Sequence, residues 1–303
     1  MKLNHIKISL IIATRNRCEQ LRRCLDYVKR LQCKYDWELT IVNNGSSDDT
    51  ERVVQEFSEQ VDFDVKPIYE PRLGLGRSHN AGVANARGEI VAFTDDDCYP
   101  DPGFLDQVVR VFEYPEIGYM GGRILLYDST DAPITIRTSK EVTVIPPGSF
   151  IPAGLIQGAN MAARRTVIEA IGGFDPMLGP GTPFNCVDVD FVARASAAGF
   201  AGGYFPGPVV YHHHGRKQGR VIEDLLDGYA YGRGAYHAKF ILNSATRNLY
   251  ARHWWWRTTW QSRGAFLREL LGAGHYCLAR LTHRGALSHY LRAFRLTDTL
   301  RRR

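Results

Sequence analysis

What this sequence lacks narrows the reading first. Its six cysteines, Cys18, Cys24, Cys33, Cys98, Cys186 and Cys277, include no C-x-x-C pair. Neither a disulfide framework nor a cysteine zinc site is therefore suggested, and a reducing cytoplasm is the expected home. Long apolar runs are also missing. The stretch Ile8 to Ala13 is too short for the core of a secretion signal, and nothing approaches the length of a membrane span. There is no internal repeat and no low-complexity linker. A uniformly basic face is absent too: the net charge is +6, but residues 251–303 hold eleven arginines against Glu269 and Asp298, a net +9, which leaves −3 for residues 1–250. That distribution argues against nucleic acid as a partner and describes a near-neutral body with a basic tail. With 303 residues, 44% of them hydrophobic, the chain can bury a large core.

What is present is a regular alternation over the first hundred residues. Short β-rich runs (KISLIIA, LTIV, FDVKPIY, EIVAF) alternate with helical patterns at Cys18 to Leu31, Asp48 to Phe57 and Ser78 to Ala86. Such alternation predicts a parallel α/β sheet. Three of the runs end in polar clusters: Thr14 to Arg17, Asn43 to Asp49 and Thr94 to Cys98. Ligands of open α/β sheets bind outside the carboxyl ends of the strands, so three polar clusters on one rim predict one shared site. Beyond Pro102 the spacing predicts a helix near Phe104 to Phe112 and a strand near Gly118 to Leu126. A Pro-rich irregular stretch follows from Asp131 to Pro152, and a helical pattern carries Phe191, Ala195 and Ala198 on one face. From Val221 the periodicity is helical, broken by the cluster HWWWRTTW at His253 to Trp260.

Several segments carry chemistry. FTDDDCYP sets Asp95, Asp96 and Asp97 side by side after an apolar strand. Three adjacent anions repel one another, so a cation sitting there explains them better than a solvated turn. Alternating side-chain directions turn Asp96 away from its neighbours, toward a ribose or into a structural hydrogen bond. GLGRSHNAG has the first two glycines of a dinucleotide fingerprint, Gly74 and Gly76, but His79 stands where the third is needed, and that motif is rejected. VDVDF places Asp188 and Asp190 at the start of a helix, where carboxylates are also favoured for purely structural reasons. YHHHGRKQGR follows an apolar strand. Three consecutive histidines cannot face one site, so His213 is expected to be exposed.

Taken together, SLIIATRNR, IVNNGSSDDT, GLGRSHNAGVANARGEIVAFTDDDC, GANMAARR with GGFDP, and VDVDF resemble, in order and approximate spacing, the inverting glycosyltransferases of family 2. The resemblance spans roughly residues 7–215. It implies the GT-A fold: α/β, with a mostly parallel central sheet and helices on both faces over residues 1–220. Residues 221–303 are left as a helical, basic, aromatic extension. It also implies a metal, Mn2+ or Mg2+, held by Asp95, Asp97 and His212, and a nucleotide-sugar bound by Thr14, Arg15, Asn16, Asn43, Asn44, Ser46, Arg77, Asn80, Asp95 and Asp96. Asp188 matches the base. Gly158, Asn160, Asp190, His214 and Arg216 fall where acceptor contacts or supporting residues are expected, and Arg216 with Lys217 could cover the diphosphate. The chain departs from the family pattern in having Asn43 in place of Asp, His79 in place of Arg or Lys, and Val187 in place of Glu. Asn43 still accepts a hydrogen bond, without charge assistance, and Arg77 could replace the charge missing at His79.

The expected activity is transfer of a sugar from a nucleotide-diphospho-sugar, a UDP-sugar for preference, to a glycan or lipid-linked hydroxyl. Two alternatives are a catalytically inactive binding protein of the same fold and a sugar nucleotidyltransferase. The latter needs a Gly-rich basic loop after the first strand, which TRNRCEQ lacks. Donor hydrolysis with Mn2+ tells the first alternative apart. In the tail, Trp254, Trp255, Trp256 and Trp260 among arginines suit the surface of an anionic membrane, with the protein peripheral on its inner face, or else pack in an ordinary core or against a second copy in a homodimer.

Overall fold

The computed structural model describes residues 5–258 and 260–282, in two compact units that divide between Leu226 and Asp227. The first is built on a nine-stranded sheet in the order β3-β2-β1-β4-β8-β6-β9-β5, with β7 paired to β9. Four strands, β1 (Ile8–Thr14), β2 (Trp37–Asn43), β3 (Asp64–Tyr69) and β4 (Ile90–Asp95), run parallel. They alternate with α1 (Cys18–Val28), α2 (Thr50–Ser58) and α3 (Leu75–Asn85), as the hydrophobic pattern predicts. β1 is apolar nearly throughout because both of its faces are covered. Ile8, Leu10 and Ile12 join α1 and α2 in one core. Ile11 faces the other way, toward α3, so closely that a Cβ on Gly82 would lie 2.7 Å from its Cγ2.

The second half of the sheet is mixed. β5 (Cys98–Pro100), α4 (Phe104–Val111), β6 (Ile117–Leu126), β7 (Thr143–Ile145), β8 (Met161–Arg164), α5 (Arg165–Ala170), α6 (Val187–Ala197) and β9 (Ala201–His212) follow in sequence. The short β8 enters between β4 and β6, antiparallel to both. β9 runs parallel to β6 and antiparallel to β5. The "mostly parallel" expectation thus describes the N-terminal half, and the stretch read as irregular contains β7.

α7 (Arg220–Ile241) leads into the second unit, which continues with α8 (Arg247–Thr258) and α9 (Arg263–Thr282). α7 and α9 touch backbone to backbone: a Cβ on Gly234 would lie 1.8 Å from the Glu269 carbonyl oxygen, and one on Gly272 would lie 1.9 Å from that of Tyr231. Glu269, fully buried, pairs with Arg233 at 2.9 Å and accepts from Trp254 Nε1 at 2.8 Å. Trp254, half-buried, also stacks on His237, so this tryptophan packs within the helical unit. Trp255, Trp256 and Trp260 are 77%, 65% and 79% exposed. Among the described residues no helix is long and apolar enough to cross a membrane.

Candidate active site

Because β1, β2 and β4 are parallel and in register, with Thr14 beside Asn43 and Ala13 beside Asp95, their polar ends fall on one rim. The first two loops are laced together. Asn16, at a left-handed φ of 51°, donates its N–H to Ser46 Oγ at 3.0 Å, and its side-chain oxygen accepts from Ser47 N at 2.7 Å. Asn43 Oδ1 accepts from Ser46 N at 2.9 Å, closing a turn that needs Gly45 at φ 65°. That oxygen keeps one lone pair for a ligand. Asn44 is already committed: it donates to the Glu70 and Arg72 carbonyls and accepts from Gly74 N, holding the approach to α3. Arg15 is exposed on this rim.

The three aspartates have different surroundings. Thr14 Oγ1 donates to Asp96 Oδ2 at 2.7 Å, and Arg17 lies 3.1 Å from Asp96 Oδ1. Asp96 is therefore turned into the protein, and burial pushes its pKa up to about 7 despite Arg17. Asp97 is paired twice, with Arg17 at 2.6 Å and with His212 Nε2 at 3.3 Å. Burial opposes its ionisation, but these two partners outweigh that and hold it below the usual carboxylate range. At Asp95 the charges of His212 and Arg17 are outweighed, and burial together with the charge on Asp97 raises it to about 6. Arg17 closes the expected Thr14–Arg17 cluster but carried no expected role of its own. Nothing in TRNR says which arginine turns inward.

His212 ends β9, whose pairing with β5 sets it opposite Cys98. One ligand atom each from Asp95, Asp97, Cys98 and His212 lie within 4.8 Å of one another. Burial pushes the Cys98 thiol well above its usual range, so it stays protonated and is no thiolate ligand. Two hard carboxylates and an imidazole fit Mn2+ or Mg2+. A second group, Asp128, Asp131 and His213, already has its cation: Lys217 Nζ lies 2.6 Å from Asp131 and 3.2 Å from Asp128. Lys217 thus anchors the loop after β9 to residues 128–131. The expected exposure of His213 is corrected. It is half-buried, hydrogen-bonded to Tyr99 Oη at 2.9 Å and packed against Tyr127. His214 donates from Nε2 to the Ala132 carbonyl and accepts at Nδ1 from Arg216 N. These bonds tie the loop after β9 to residues 128–135.

Asp188 opens α6. Its carboxylate accepts from Gly158 N at 3.1 Å and from Val189 N at 2.8 Å. Burial still raises its pKa above the usual value, and its charge is felt at Asp95. Asp190 turns inward to Arg194 Nε at 2.8 Å. Two other motif residues serve as brackets. Asn80 donates to Phe174 O and accepts from Phe174 N, both at 2.8 Å, which pins the GGFDP loop to α3. Asn160 donates to Arg123 O and Pro208 O, joining β6 to β9. His79 is wholly buried between Phe93 and Phe174, and desolvation lowers its pKa to about 3. It is a neutral core residue and takes the place of no surface cation. Arg77 lies one turn into α3, half-buried.

Residues 9–172 match glycosyl transferase family 2. An uncharacterized glycosyltransferase of Nostoc sp. is 30% identical over 181 residues, covering 57% of this chain and 55% of that protein. The glycosyltransferase AglE of Haloferax volcanii is 24% identical over 249 residues, covering 82% of this chain and 79% of that one. Among solved structures, the mannosyltransferase PcManGT of Pyrobaculum calidifontis, in complex with GDP-Man and Mn2+, superposes with a TM-score of 0.62 at 18% identity, over 97% of this chain and 81% of the other. S. aureus TarS bound to UDP-GlcNAc gives 0.58 at 15%, over 81% and 69%. These two likenesses establish the GT-A-like fold. The family match covers more than half of the chain, and the chain belongs to glycosyl transferase family 2, enzymes that use nucleotide sugars.

Proposed function

We propose that this chain is a metal-dependent inverting glycosyltransferase that moves a sugar from a nucleotide-diphospho-sugar to the hydroxyl of a glycan or lipid-linked acceptor. The observation that carries the reading is the convergence of Asp95, Asp97 and His212 on one point, with the Asp188 charge acting on Asp95 from α6. Asp95, Asp97 and His212 would hold Mn2+ or Mg2+, which supplies positive charge for the diphosphate leaving group. The laced loops carrying Thr14, Arg15, Asn16, Asn43 and Ser46 seat the nucleoside, with Arg77 beside them. Arg17 adds a fixed cation to the same rim. Asp188, held by two backbone N–H groups and raised by burial, is suited to take the acceptor proton while the hydroxyl oxygen bonds to the anomeric carbon and the bond to the diphosphate breaks. Gly158 helps to position it, and Arg216 borders the acceptor side.

The base of the donor is open to one direct comparison, since the structural neighbours carry GDP-Man and UDP-GlcNAc. We favour a UDP-sugar, because Asn43 retains an acceptor for an imide N–H. Calorimetry with UDP and GDP is expected to show binding that EDTA and Asp97→Ala each weaken. Asp188→Asn is expected to keep nucleotide binding and to lower turnover at least about tenfold, the low end for loss of a general base. Equal affinity with and without metal would overturn the metal assignment, and an unchanged rate in Asp188→Asn would move the base elsewhere.

We further propose that the second unit rests on an anionic membrane and brings a lipid-linked acceptor within reach. Trp255, Trp256 and Trp260 are largely exposed, and Arg252, Arg257 and Arg263 share their segment. Indole rings settle at headgroup depth, and each basic side chain near the surface adds about 1 kcal/mol.

A further inference from the structure

Thr135 lies in the Pro-rich stretch between β6 and β7, with φ at 53°. A β-branched residue is a genuine outlier in that left-handed region, where glycine or asparagine is ordinarily found. Its hydroxyl has a single proton, and Oγ1 donates to the Ile134 carbonyl at 2.7 Å. The same oxygen lies 3.2 Å from His212 Nδ1. While donating there, the hydroxyl still has a lone pair to offer His212 Nδ1. The other ring nitrogen, Nε2, faces Asp97 Oδ1 at 3.3 Å. Backbone strain that persists at one residue invites a functional explanation, and here the strained residue supplies a hydroxyl that meets His212.

We infer that Thr135 is a positioning residue: its hydroxyl holds the His212 ring through Nδ1, so that Nε2 faces the space shared with Asp95 and Asp97. The inference rests on the metal reading of that space, because a histidine ligand is oriented, and made more basic, by what its other nitrogen bonds to. Thr135 touches no reacting atom. Its part is to decide which face of the imidazole is available.

Three variants test this. Thr135→Val removes the acceptor at nearly constant shape, Thr135→Ser keeps it, and Thr135→Gly removes it while relieving the left-handed strain. Nitrogen-15 NMR of the histidine side chains is expected to give the same His212 Nδ1 shift in the wild type and in Thr135→Ser. That shift is expected to move in Thr135→Val, where Nδ1 loses the hydroxyl. Free Mn2+ measured by EPR is expected to show about tenfold to a hundredfold weaker binding in the Val and Gly variants, the range for losing such a partner of a ligating histidine. Thr135→Ser should bind as the wild type does, with His212→Ala as the lower bound. Thr135→Gly should melt no lower than the wild type, which separates loss of the hydroxyl from damage to the fold. A Val variant that keeps both the Nδ1 shift and wild-type Mn2+ affinity overturns the inference. Absence of Mn2+ binding in the wild type overturns the metal reading instead, while the NMR arm still decides whether Thr135 holds the His212 ring.

Discussion

Burial raises Asp95 to about 6 and Asp96 to about 7, from an ordinary value of 3.8. Since both folded values lie above the unfolded ones, the stability linked to these groups is fully present below about 4, near the unfolded Asp value. It is lost as pH climbs through 6 and 7 and charge forms in a buried place. Cation binding runs the other way, because a carboxylate must ionise before it can ligate. Mn2+ is therefore expected to raise the melting temperature little near pH 5 and increasingly toward pH 8, a window set by the raised value of Asp95. A Mn2+ shift that is flat over the same range would remove Asp95 from the site. The aspartate triplet drew attention in sequence because three adjacent anions are unusual, whereas His212 and Asp188 were expected only through the family resemblance. Arg17 and Thr135 were given a role by neither. TRNR offers two arginines with no periodicity to choose between them, and Thr135 meets His212 across 77 residues of chain. Asn44, Asn80 and Asn160 have a second part that the motifs do not reveal: Asn44 and Asn80 bond backbone through both amide ends, and Asn160 through its Nδ2, to hold loops or strands together.

At the level of elements, the parallel half of the sheet could be read from alternating patterns, and the mixed half could not. β8 is MAAR, four residues with two alanines, which has no strand signature of its own and is fixed by the neighbours it lies between. β7 is only three residues long. The close crossing of α7 and α9 is equally invisible, since a glycine in a helix reads first as a weak point. Its role can be measured. Gly234→Ala would drive a methyl group into the Glu269 backbone, and overpacking of that kind typically costs about 1–3 kcal/mol. Gly274, also in α9, has nothing within 4 Å of the point where a Cβ would stand, so Gly274→Ala should be neutral or stabilise by up to about 1 kcal/mol through helix propensity. Denaturant melts of the two variants that fail to diverge would mean that the helices do not touch at Gly234.

For the whole molecule, the exposed tryptophans make a prediction that leaves the catalytic rim untouched. The full chain is expected to float with liposomes containing anionic lipid at low salt and to be released as salt rises. Trp255→Ala combined with Trp256→Ala and Trp260→Ala should abolish flotation while circular dichroism stays unchanged. Flotation that survives the triple change would assign the contact to another surface. A last consequence comes from the order of the strands. β4, which ends in Asp95, gains its second neighbour only from residues 161–164. During synthesis its apolar edge, Ile90 to Phe93, stays open while some seventy further residues are made, a time when strand edges are prone to join with other chains. A fragment stopped short of Met161 is thus expected to aggregate, and one extended past Arg164 to be markedly more soluble, so the segment that completes the sheet also protects the newborn chain.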